Sequence, residues 1–187
     1  MDEPLWRIGN DPRYSRGQPL ASIDYSAIDF RSIRYRMNFF SDGFKGGQRL
    51  GISGTPRLLW WHKDPRVNCL FLVRAPVARD DLAAMLERLA PREIQRFPLS
   101  CKFRKTRFEI VNVTRRVACC LTETANFEVE GKVTQIRRLV LDAGKARRWR
   151  VFRLEDHFGE VIISDSVRRQ LMDVPVVGAL FEPVETI

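Results

Sequence analysis

Hydrophobic positions fall along this chain in short blocks whose spacing changes from segment to segment, and the clearest block lies over residues 150–187. There RVFRLEDHFGEVIISDSVRRQLMDVPVVGALFEPVETI predicts strand, turn, strand, helix, strand. Val151, Phe152 and Leu154 form an apolar run, HFG supplies a turn, and the β-branched residues between Glu160 and Ile163 favour an extended chain. Ser164 stands at the N-cap position with its hydroxyl offered to a first-turn amide, and Asp165 puts negative charge at the positive end of the helix dipole. Val167, Leu171 and Val174 then recur at helical spacing. Pro175 closes the helix, and Gly178 precedes a strand from Ala179 to Val184.

The same grammar occurs upstream. VNCLFLV at 67–73 is too continuous for a half-exposed strand and predicts a buried one. In ARDDLAAMLERLAPREIQRFPL, Asp80 is a capping residue, Leu82, Met85, Leu86 and Leu89 share one helical face, and Pro91 stops the helix before a strand from Ile94 to Leu99. Laid without a gap on the C-terminal block, 77–99 matches 162–184, with Asp80 on Asp165, Leu86 on Leu171 and Pro98 on Pro183. An internal repeat gives that match, and so does the physics that all helix-then-strand units share. Between the units, Phe108–Val113 and Val117–Leu121 predict strands around a Thr114-Arg115-Arg116 turn, a hairpin in outline. Phe127–Val129 and Val133–Leu141 predict two more. The sum is an α+β chain: a mostly antiparallel, meandering sheet with two short strand-helix-strand units packed on it.

Residues 1–56 are richer in Gly, Pro, Asp, Ser and Arg and predict a loop-rich N-terminal segment before a domain over 57–187. SDGFKGGQRLGISGTP holds five of the chain's eleven glycines. GFKGGQRLG fits neither GxxxxGK[ST] nor GxGxxG, and no strand and helix flank it, so it reads as a surface loop. The acidic N-terminus lacks an apolar core, which predicts no secretory signal, and no stretch reaches membrane-spanning length.

Composition adds a partner class. At 187 residues, 44% hydrophobic, the chain can bury a proper core, and its net charge of +9 points to an acidic partner: nucleic acid, an anionic membrane or an acidic protein. Cys69, Cys101, Cys119 and Cys120 show no CxxC spacing, and the two histidines stand 95 positions apart, so neither a disulfide framework, a metal site nor a cofactor is expected, and a reducing cytoplasm suits the chain. A thiol nucleophile at Cys119 or Cys120 with His157 is the enzyme reading; in VACCL such cysteines are ordinary core residues. The basic segments 102–108 and 145–153 interleave arginines with aromatics. That pattern suits single-stranded nucleic acid, and it also arises where a strand sends its aromatics inward and its arginines to water.

The phrases APREIQRFPL, FEIVNV and IRRLVLD, and above all VFRLEDHFGEVIISDSVRRQLMDVPVVGALFEPV, resemble bacterial immunity proteins of polymorphic toxin systems, over roughly Leu58 to Val184. The most specific element is the FRL strand followed by an (I/V)SD-helix-G-x-x-F-x-P-V ending, here Phe152-Arg153-Leu154, Ile163-Ser164-Asp165 and Gly178 to Val184. Where members of that family carry an aspartate after the hairpin's second strand, this chain has Cys119-Cys120-Leu121. The resemblance implies a non-enzymatic protein that binds and neutralises a cognate toxin, one expected to be acidic given the basic chain. Exposed aromatics and arginines are the residue types enriched at interface hot spots, which makes Trp60, Trp61, Arg104, Arg107, Arg148 and Trp149 the candidate contacts; a nucleic-acid-binding accessory protein is the alternative.

Overall fold

The computed structural model describes residues 3–15, 21–24, 54–71, 76–102, 105–121, 126–130, 133–155 and 160–187. The fold is α+β, richer in strand than in helix, with its strands in curled mixed sheets. In chain order the elements are β1 (Leu5–Asn10), α1 (Pro12–Ser15), β2 (Ala21–Asp24), β3 (Arg57–Trp61), β4 (Cys69–Phe71), β5 (Pro76–Arg79), α2 (Asp80–Leu89), β6 (Ile94–Cys101) and β7 (Phe108–Val113). Then come β8 (Arg116–Val117), β9 (Asn126–Glu130), β10 (Val133–Arg138), β11 (Val140–Leu141), α3 (Ala143–Ala146), β12 (Val151–Leu154), β13 (Val161–Ser164), α4 (Asp165–Met172) and β14 (Ala179–Thr186).

One sheet runs β2-β3-β6-β7-β5-β4, a second runs β11-β14-β1-β13-β12-β8, and β9 and β10 form a separate hairpin. In the first sheet, α2 links β5 to β6 while β7 lies between them, antiparallel to both. In the second, α4 links β13 to β14 while β1 lies between them, again antiparallel to both. Ile110 faces Val77 on one side and Phe97 on the other. Arg7 likewise faces Ile162 and Glu182, the positions that the ungapped overlay equates with Val77 and Phe97. The outer neighbours correspond too: β3 runs parallel to β6, and β11 parallel to β14.

The two longer helices form where the sequence places them. Leu82, Leu86 and Leu89 are buried on α2, and Val167 and Leu171 on α4. These side chains, with Ile8, Val111, Val113, Val151, Val161 and Ile163, make one cluster shared by both sheets. The opposite face of the first sheet carries Leu58, Trp61, Val77, Phe97, Phe108 and Ile110, and that of the second Leu5, Phe152, Leu154 and Ile162. Strands covered on both faces need apolar residues at consecutive positions, which is why VIIS and VFRL are buried throughout.

Four details differ from the sequence reading. Leu5–Asn10, read as part of a loop-rich segment, is a strand inside the second sheet. Six residues, polar at Arg7 and Asn10 and with Gly9 near the end, carry too little periodicity to announce it; its partners 150 or more positions away select it. The 108–121 hairpin does not form, because β8 pairs parallel with β12 (Arg153↔Arg116) instead of folding back on β7. Asp142 caps a short helix, α3, where only a turn was read, its carboxylate accepting from the Lys145 amide at 3.2 Å. Ser164 occupies the N-cap position of α4 without a side-chain capping bond; its Oγ meets Ser166 Oγ at 2.9 Å, and the first-turn amides turn to the N-terminal segment, Asp165 N to the Pro4 carbonyl (3.0 Å) and Ser166 N to the Glu3 carboxylate. The glycine-rich stretch over 41–53 lies outside the described residues.

Candidate functional site

The candidate contact residues separate once the strands are placed. Trp61 is core: it is 3% exposed, donates from Nε1 to the Val67 carbonyl at 3.0 Å, and lies 4.3 Å from the Phe108 ring between centroids. A register shift in β3 skips Leu59, which is 51% exposed, and so brings Trp61 into the same buried cluster as Leu58. Trp60 sits opposite Ser22 in β3, and its side chain lies outside the described residues, as does Arg104. Arg107, just before β7, is exposed, and its carbonyl accepts from Asp80 N at the start of α2 (3.1 Å). Arg148 is exposed just after α3, and the neighbouring Trp149 is half-buried with the Arg115 guanidinium stacked over its ring, 3.6 Å from the centroid.

The described aromatics of the basic segments point mainly inward. Phe108 and Phe152 are buried, and Trp149 also packs on the outer cluster of the second sheet. Arg153, an arginine of the basic segment 145–153, is the largest fully buried side chain among the described residues, and burial pushes its guanidinium down to about 10. It belongs to β12, whose two faces are both covered. Lys102, Lys105, Arg107, Lys145, Arg147, Arg148 and Arg150 are exposed.

The thiols are spread through the fold. Cys69 and Cys119 are buried, and burial pushes each up to about 12, far from the thiolate form a nucleophile needs. Cys101 and Cys120 are half-buried. Asp156 and His157 lie outside the described residues, so the Cys119–His157 pairing does too. Among the described residues, no group of three or more His, Cys, Asp or Glu side chains is placed to hold a metal ion. No described helix is long and apolar enough to cross a membrane.

Two sets of ion pairs and hydrogen bonds tie distant segments together. Asp165 is 3% exposed, accepts from Trp6 Nε1 (2.9 Å) and Arg168 Nε (3.0 Å), and pairs with Arg169 at 2.6 Å. Burial pushes its carboxyl up, yet the Arg168 hydrogen bond, the two guanidinium charges and the indole N–H together hold it below the usual carboxylate value. Beside β14, a groove of about 340 Å³ runs past Arg7, Arg138, Leu139 and residues 182–185. Its charges are already coupled, Arg7 to Glu182 and Arg138 to Glu185 at 2.7 Å.

Comparison with known proteins adds no family: no family model matches this chain, and no curated protein matches it.

Proposed function

We propose that this chain is an immunity protein: a non-enzymatic, cytoplasmic partner that binds a cognate, acidic bacterial toxin and blocks it. The observation that carries this reading is how the reactive groups are used. Buried Cys69 and Cys119 are held as neutral thiols, Asp165 is engaged by Trp6, Arg168 and Arg169, and Asp142 caps α3. What the protein turns to solvent instead is a set of arginines and lysines, the means of steering and gripping an acidic macromolecule.

The residues behind the family resemblance support the reading as structural positions. Phe152, Arg153 and Leu154 form β12, Ser164 and Asp165 begin α4, and Gly178, at φ 107°, turns the chain into β14 where a side chain would be strained. The shared register of the two strand-helix-strand units further supports a duplicated fold in which β1 fills the slot that β7 fills in the first copy.

Co-expression with the product of the adjacent gene tests the proposal. Growth restored by this chain, together with a complex that survives moderate salt, is the expected result. No complex, combined with tight DNA or RNA binding that falls steeply as salt rises, would replace it with the nucleic-acid reading.

A further inference from the structure

Three segments far apart in sequence meet around Trp149. Arg150 donates from Nη1 to the Leu89 carbonyl at the end of α2 (3.1 Å). The turn after α2 is tied to the end of β7, Thr114 N donating to the Glu93 carbonyl (2.7 Å) and Thr114 Oγ1 to that of Arg92 (3.3 Å). The next residue, Arg115, lies over the Trp149 ring. Arg88, Arg92, Arg148 and Arg150 are exposed on these segments, and Arg115 is half-exposed. Among the described residues, Glu93 is 9% exposed and Glu155 pairs with Arg116 at 3.7 Å.

We propose that this face, Arg88, Arg92, Arg115, Arg148 and Arg150 around Trp149, is the docking surface for an acidic protein. It rests on the immunity reading for the partner's being a toxin, and on charge complementarity for the partner's chemistry. Two of its cations are held in place before any partner arrives, Arg115 by the indole and Arg150 by the Leu89 carbonyl, so less side-chain freedom is lost on binding. A guanidinium stacked on an indole keeps its in-plane N–H groups for acceptors, and its fork fits a carboxylate with two bonds. Single-stranded nucleic acid suits the face less well. Base stacking needs open ring faces, whereas Arg115 covers one face of Trp149, and the neighbouring Phe152 is fully buried.

Poly-L-glutamate titrated into the isotope-labelled full chain at low salt probes the face by NMR. The Trp149 indole N–H and the amides of Arg115, Arg148 and Arg150 are expected to shift. The Arg88→Glu/Arg148→Glu variant is expected to weaken binding by about tenfold or more, whereas Lys105→Glu/Arg107→Glu, the same charge change elsewhere, weakens it by about twofold or less. Arg88→Gln/Arg148→Gln serves if the charge reversal unfolds the chain, as judged by its thermal midpoint. Equal losses in both pairs, or unmoved Trp149 and Arg115 signals, overturn the proposal. Tighter binding of oligo(dT) at the same signals overturns it in favour of nucleic acid. The two readings fail separately: an adjacent-gene product that binds the Arg88→Glu/Arg148→Glu variant as well as wild type leaves immunity standing and removes this face. Poly-L-glutamate bound here by a chain that ignores that product does the reverse.

Discussion

The indole of Trp6 donates a 2.9 Å hydrogen bond to Asp165, 159 positions away, and thereby fastens the N-terminal strand to the first turn of α4. Arg168, one helical turn on, closes over the same ring at 4.0 Å from its centroid while donating to the same carboxylate. A strand, a helix start and a cation–π contact thus converge on one buried acid. Trp6→Phe keeps an aromatic ring but shrinks it and removes the N–H, so it is expected to cost at least about 2 kcal/mol, the scale of a hydrogen bond to a charged acceptor. Urea unfolding at neutral pH reads it; a variant as stable as wild type would show that the contact contributes nothing.

The same acid predicts a pH dependence. Because the folded carboxyl of Asp165 lies below its ordinary value, its contribution is fully present above about pH 4 to 5 and is lost as pH falls through the folded pKa. Asp165→Asn is therefore expected to be less stable than wild type at neutral pH by a constant margin, and the margin shrinks as the solution is acidified. Paired urea midpoints from pH 7 downward measure it, and a margin that widens in acid would contradict the sign.

Removing residues 1–11 takes β1 from between β13 and β14 and exposes two strand edges at once. The shortened chain is expected to aggregate or to lose its cooperative unfolding transition, and a synthetic peptide of residues 3–11 is expected to recover part of it. Circular dichroism melts with and without the peptide decide the matter. A soluble, cooperatively melting truncation would mean that β13 and β14 do not need their central strand.

Native-state thiol labelling at about pH 8 is expected to modify Cys101 and Cys120, the half-buried pair, before Cys69 and Cys119, whose thiols burial keeps protonated. Rapid labelling of Cys119 in the folded protein would reopen the nucleophile reading.

Trp61→Ala is expected to cost about 3 to 5 kcal/mol, since it empties a buried site beside Phe108 and leaves the Val67 carbonyl without its donor. Loss of partner binding without loss of stability would instead restore Trp61 to an interface.

The sequence by itself determined the elements whose signals are local. Leu82, Leu86 and Leu89 on one side of α2, Val167 and Leu171 on α4, and the β-branched run of Val161, Ile162 and Ile163 before α4 all follow from spacing over a few residues, so helix and strand were legible there. The matching register of 77–99 and 162–184 was legible as an alignment for the same reason. What only the tertiary structure decided depends on which distant residues become neighbours. LWRIGN becomes a central strand because β13 and β14 leave it a slot, Arg153 is buried because both faces of β12 are covered, Trp61 because a register shift in β3 brings it into the buried cluster, and Arg115 and Arg150 come together beside Trp149 because the ends of α2, β7 and α3 meet. Side-chain periodicity tells which way a residue points relative to its neighbours in sequence; it carries no information on what the other side of the sheet will meet, and that contact is what sets burial and charge at the candidate face.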